Sequence, residues 1–137
     1  MSWRLAKSLE ILRAQFNERY PKRSKKADGS IGDAAHASRD SDHNPWVKDG
    51  KTGVVTALDI THDPENGVDT YKVADHMRTK RDPRVKYIIS NGRICSADRG
   101  WEWRPYTGKN KHSQHVHISV KSDKVLYDDI VPWSIGK

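Results

Sequence analysis

Cysteine, long apolar runs and internal repetition are scarce or missing in this 137-residue chain. A single cysteine, Cys95, excludes an internal disulfide framework and any cysteine-rich metal cluster, which leaves histidine, aspartate and glutamate as the ligand types for a metal. Cys95 itself reads as a small, partly buried side chain after Ile94. Charges interrupt every apolar stretch, Met1 to Lys7 included, so neither a secretory h-region nor a transmembrane span is expected. Acidic residues are the minority. Lys and Arg number 25 against 18 Asp and Glu, for a net charge of +7 and a pI near 9.6. That balance favours polyanionic partners such as nucleic acid, anionic lipid or the acidic polymers of a cell envelope, without choosing among them.

What is present is enough for one core. Hydrophobic residues make up 34% and include five Trp and five Tyr, so a single domain over residues 1–137 is expected, with a small core and long loops. Leu5, Leu9, Leu12 and Phe16 recur at spacings of four, three and four, which predicts an amphipathic helix over 3–19, ended by Pro21. Residues 22–53 are rich in Gly, Ser, Asp, Asn and Lys. They read as an irregular region, with a short helix near Asp33 to Ala37, and a loop of this length in a small domain is usually functional.

Alternation of Val54, Thr56, Leu58 and Ile60 with Val55, Ala57 and Asp59 predicts a strand over 54–60, with Asp59 opposite to Leu58 and Ile60. Asp69 can cap a helix running to Lys80 that buries Val73, Ala74 and Met77, and Arg81-Asp82-Pro83 ends it. Val85 to Ser90, the turn Asn91-Gly92 and Arg93 to Ser96 form a hairpin. Trp101 and Trp103 are equally suited to the core or to a cleft wall, and Val125 to Trp133 offers a final packing segment. The predicted architecture is α+β, two helices with a small, mainly antiparallel sheet.

Three imidazoles fall within the six residues His112-Ser-Gln-His115-Val-His117, on a segment that continues through Ile118 and Val120. As a strand, it sends His115, His117 and Ser119 to one face and Val116, Ile118 and Val120 to the other. A solvated edge strand accounts for one such histidine and poorly for three, whereas a divalent metal with an activated water uses imidazoles directly. If the strand of Asp59 lies beside it, Asp59 and His117 can meet, with His43 folding over from the Ser41-Asp42-His43 loop. His36 also lies nearby in sequence. Two histidines and one aspartate would then leave His112 and His115 to act on water or substrate. Asp59 on an otherwise apolar strand needs a metal or a cation, since an unpaired buried carboxylate is costly. His62 and His76 read as structural.

The ordered set Ser41-x-His43, Ala57-x-Asp59 and His112-x-x-His115-x-His117 resembles the LAS metallopeptidases of peptidoglycan, in particular the D-alanyl-D-alanine carboxypeptidase (M15) branch and the murein endopeptidases. The stretches Ile31 to Pro45 and Ala57 to Pro64 look like the peptidase domains of phage lysins, or endolysins. The resemblance spans roughly residues 5–120. It implies the LAS (hedgehog/DD-peptidase) type of zinc peptidase fold. It makes His43, Asp59 and His117 the Zn2+ ligands and His115 and His112 the active-site histidines, with Ser41 touching substrate and Arg39 holding a substrate carboxylate. The gap from His43 to Asp59 is longer than usual in that family, with residues 46–53 inserted, and a hairpin or loop excursion would absorb it.

In relatives a carboxylate often stands three residues before the last ligand as general base. Here that position is Gln114, which cannot take a proton, so a histidine or Glu102 must serve. The implied activity is zinc-dependent, bacteriolytic hydrolysis of an amide in the stem peptide or cross-link of bacterial peptidoglycan. The expected setting is a monomeric phage enzyme without nucleic-acid partners, stored in the host cytoplasm and released to the cell wall through a holin. Carboxypeptidase, L-Ala-D-Glu endopeptidase and cross-link endopeptidase activities all stay open. Two rivals are a basic HNH-like nuclease built on Asp42-His43 with Asn66 and His76, and a zinc-binding relative that docks on the wall without catalysis.

Overall fold

The computed structural model describes residues 2–30, 42–108 and 112–136. Their elements run β1 (Trp3–Leu5), α1 (Lys7–Arg19), β2 (Val47–Asp49), β3 (Thr52–Val55), β4 (Ala57–Thr61), α2 (Thr70–Lys80), β5 (Val85–Ser90), β6 (Arg93–Ser96), β7 (Arg104–Pro105), β8 (His115–Val120) and α3 (Lys124–Tyr127). The fold is α+β. A three-stranded sheet in the order β1-β3-β2 adjoins a five-stranded, wholly antiparallel sheet in the order β4-β8-β5-β6-β7.

Helix α1 packs against β4, and α2 against β5 and β8. Leu9, Leu12 and Phe16 from α1 and Val73, Ala74 and Met77 from α2 share one core with Leu58, Ile60, Ile88, Val116, Ile118 and Val120 from the strands. The opposite face of the large sheet is thereby left for chemistry. Asp69 caps α2 as expected, its carboxylate accepting from the amides of Tyr71 and Lys72. The β5–β6 hairpin turns on Asn91 and Gly92, both at positive φ (49° and 79°), the backbone that a two-residue hairpin with matching twist requires.

Three expectations need correction. Residues 3–5 are not helical: Trp3 to Leu5 pair in parallel with Gly53 to Val55, a long-range contact that outweighs the helical spacing of Leu5 and still buries its side chain. The strand expected over 54–60 is broken at Thr56, where the chain passes from the small sheet to the large one. Thr56 N–H donates to Asp42 O, and Thr56 O accepts from Val120 N–H. A third helix, the single turn α3, precedes the buried Trp133 in the tail. Residues 46–53 hold β2, its turn and the start of β3, the greater part of a hairpin. The helix expected near Asp33 to Ala37 falls outside the described residues.

Candidate metal centre

Asp59 and His117 are directly opposed in the β4–β8 ladder, so their side chains rise from the same face as neighbours. His117 Nδ1 lies 3.1 Å from Asp59 Oδ1. His43 enters from the loop before β2, its Nε2 standing 3.2 Å from Asp59 Oδ2 and 3.2 Å from His117 Nδ1. His115, two residues before His117 on β8, places Nε2 at 3.5 Å from Asp59 Oδ2. His112 completes the cluster, edge-on to the rings of His115 and His117 at centroid distances of 4.8 and 5.5 Å. It holds a positive φ of 57°, a backbone uncommon outside glycine and frequent at functional sites.

Backbone and side-chain partners fix how these rings present themselves. Gly29 pairs with Asp59 across the edge of β4, exchanging both backbone hydrogen bonds at 2.8 and 3.2 Å. The following carbonyl, Ser30 O, then lies 2.7 Å from His43 Nδ1. A carbonyl only accepts, so Nδ1 carries a proton; Nε2 then faces Asp59 as a donor when the ring is protonated, and as a lone pair open to a metal when it is neutral. Gly29 is the residue that can come this close, because a Cβ there would stand 3.2 Å from Asp59 Oδ2. The loop's entry is pinned by Thr56 N–H on Asp42 O and by Lys86 Nζ at 3.1 Å from the buried Asp42 carboxylate.

On β8, His117 Nε2 meets Ser119 Oγ at 2.8 Å, and the Tyr87 ring stacks on the imidazole at 5.5 Å and 10°. Burial and the Asp42 carboxylate hold the Tyr87 hydroxyl well above the usual phenol range, so it stays protonated.

Electrostatically the cluster asks for a cation. Burial works against ionisation of Asp59, yet hydrogen bonds from His117 and His43 hold its carboxyl far below the usual range. Burial likewise disfavours charge on His43, but Asp59 overrides it and draws the imidazole above its ordinary value. His115 responds the other way, pushed down by burial. Its Nε2 is buried without a hydrogen-bond partner, a costly arrangement unless something else fills the gap. Two overlapping groups can hold a metal ion among the described residues: His43, Asp59 and His117, and Asp59, His112 and His115.

Of the other residues singled out in the sequence, Arg39, Ser41 and His36 lie outside the described residues. Glu102 and Gln114 are exposed. His62 Nδ1 accepts from Thr70 N–H, and its ring stacks on Tyr71, a structural role. His76 bonds Ser134 Oγ, and Asn66 donates to Asp63. Trp101 belongs to the core, and Trp103 packs against it. Cys95 is fully buried, and burial raises its thiol to about 11. Sequence reasoning missed Tyr87, Ser30 and Gly29. Alternation along Val85 to Ser90 could have placed Tyr87 beside the histidines, whereas a carbonyl's role leaves no trace in residue type. Comparisons with protein-family models, curated proteins and solved structures returned no match for this chain.

Proposed function

We propose that this chain is a zinc-dependent peptidase that hydrolyses an amide bond in the stem peptide or cross-link of bacterial peptidoglycan, as phage endolysins do. One observation carries the reading: His43 Nε2, Asp59 and His117 Nδ1 converge at 3.1–3.2 Å on the face of a sheet, with His115 beside them. Neighbouring ligand atoms around a tetrahedral zinc with bonds of about 2.1 Å stand about 3.4 Å apart, close to these spacings. Each ring has its other nitrogen engaged, by Ser30 O and by Ser119 Oγ, the support that metal-bound histidines usually have. His43, Asp59 and His117 would hold the ion, an arrangement of three protein ligands typical of catalytic sites.

When bound, zinc supplies Lewis acidity and brings a water's pKa toward neutrality. The protein's own residues do the rest. His115, kept neutral by burial, turns Nε2, which has no hydrogen-bond partner, into the site beside Asp59, where it can take up a proton and return it to the leaving amine. His112, edge-on to His115, is placed to donate to the oxygen of the tetrahedral intermediate. With Gln114 and Glu102 exposed, the acid–base work falls to the histidines.

The choice of peptidoglycan rests on the three ordered motifs and fits the net charge of +7 against an anionic wall. Among the described residues no helix is long and apolar enough to cross a membrane; storage in the host cytoplasm and release through a holin belong to the endolysin reading. The placement of Asn66 and His76 away from the cluster, on Asp63 and Ser134, speaks against the nuclease. The test is digestion of purified sacculi with chelator and zinc add-back, released ends being identified by mass spectrometry beside a plasmid control. New termini that vanish with chelator and return with zinc are expected. Intact muropeptides with a nicked plasmid would transfer the protein to the nuclease class.

A further inference from the structure

The histidine-bearing face of the large sheet continues past the metal cluster. Directly paired residues of an antiparallel ladder rise on the same side, and the register runs from Asp59 to His117, Ile89, Ile94 and Arg104. This is one cross-strand row from β4 to β7. Beside it lie Ser119, Tyr87 and Ser96. Arg104 Nη2 donates to Ser96 Oγ at 2.9 Å, which draws the guanidinium over β6 on that face. Arg104 Nη1 is buried with no hydrogen-bond partner.

The contrast with the other inward-turned arginines is informative. Arg23 and Arg84 are each matched by a carboxylate, Asp28 at 2.8 Å and Asp82 at 2.7 Å. Arg104 enters none of the ion pairs among the described residues. A guanidinium cannot lose its charge, and a buried N–H without an acceptor is destabilising. This arginine lies on the same face as the metal cluster and has no carboxylate partner among the described residues. Its planar fork matches a carboxylate.

We infer that Arg104 anchors a carboxylate of an extended, acidic peptide substrate that runs past Ile94 along this face toward the metal cluster. The inference rests on the peptidase reading for what is cut, and names what is bound. Strands are about 4.8 Å apart and an extended chain rises about 3.3 Å per residue. The two strand spacings from β8 to β6, where the guanidinium reaches, thus put the anchored carboxylate about three residues from the scissile amide. Ile94, half-buried on that path, offers the intervening side chains an apolar contact, and Ile89 beneath it is buried. Arg104 is a specificity residue and takes no part in bond cleavage.

The test uses synthetic stem peptides containing L-Ala-D-Glu and D-Ala-D-Ala linkages, with each carboxyl group left free or amidated in turn. Binding is measured by calorimetry to the zinc-loaded and the metal-free chain, for wild type, Arg104→Gln and Arg104→Lys, with zinc content and the thermal midpoint as controls of folding. Carboxylates also bind zinc directly, and the metal-free arm separates the two. Amidation of one carboxyl should weaken wild-type binding about tenfold or more in both metal states, Arg104→Gln should lose that discrimination, and Arg104→Lys should keep part of it. Absence of discrimination in the wild type, or equal discrimination in Arg104→Gln, overturns the anchor even if sacculi are digested. Arg104-dependent discrimination by a protein that leaves sacculi intact upholds the anchor and removes the peptidase reading instead.

Discussion

Asp59 faces His117 across the β4–β8 ladder, with 3.1 Å between Oδ1 and Nδ1. The pairing makes the centre of the candidate site a property of the sheet, because β-register alone decides that this carboxylate and this imidazole share a face. His43 is different: it is brought in by a loop and is held by the Ser30 carbonyl and the Asp42 backbone.

Ser119→Ala removes the partner of His117 Nε2 and leaves the ligand atoms in place. Zinc affinity should fall about 10- to 100-fold with the fold unchanged, as read by competition with a chromophoric chelator. Unaltered affinity would show that Ser119 does not orient the ring.

Proton competition should make metal binding pH-dependent. Asp59 draws the proton affinity of His43 above the ordinary imidazole value despite burial, so in the metal-free protein a proton contends with the metal for Nε2. Zinc affinity measured from pH 8 downward is expected to decline steadily, and His43→Ala should remove most of the slope along with most of the affinity.

Acid stability should depend on Asp28. Burial opposes its ionisation, but the Arg23 guanidinium and the hydroxyl and amide of Thr61 hold its carboxyl below the usual range. With the folded pKa below the unfolded one, this interaction contributes fully above the ordinary carboxylate range and is lost as pH falls through it toward the folded value. Urea midpoints of wild type and Asp28→Asn should differ most at neutral pH and converge toward pH 3. A constant difference would remove Asp28 as the cause.

The core behind the site should be sensitive in the ordinary way. Ile118, fully buried between the flanking strands, should cost about 2–5 kcal/mol on replacement by alanine, measured by urea unfolding of the metal-free protein.

Local chemistry made some elements legible in the sequence and left others hidden. The Asp69 cap and the Asn91-Gly92 turn act within a few residues of themselves, so α2 and the β5–β6 hairpin could be read directly. Trp3 to Leu5 become a strand only because β3 lies alongside, and the helical spacing of Leu5 masked it. Thr56 continues the alternation of its neighbours while the chain changes sheets, and nothing in its residue type marks the break. The convergence of His43, Asp59 and His117 could be anticipated from alternation and motif order. Gly29, Ser30 and Arg104 could not, since their contributions depend on close approach, a carbonyl and a five-strand register.

The central claim, that His43, Asp59 and His117 hold the metal while His115 acts beside it, is tested most directly by equilibrium zinc binding to wild type and single alanine variants, with sacculus digestion on the same samples. Wild type and His115→Ala should bind one zinc per chain, with His115→Ala inactive. His43→Ala, Asp59→Ala and His117→Ala should bind weakly or not at all. Retention of zinc by His117→Ala with loss in His115→Ala and His112→Ala would move the metal to the other group around Asp59, and equal loss in His115→Ala and His117→Ala would contradict the division of roles.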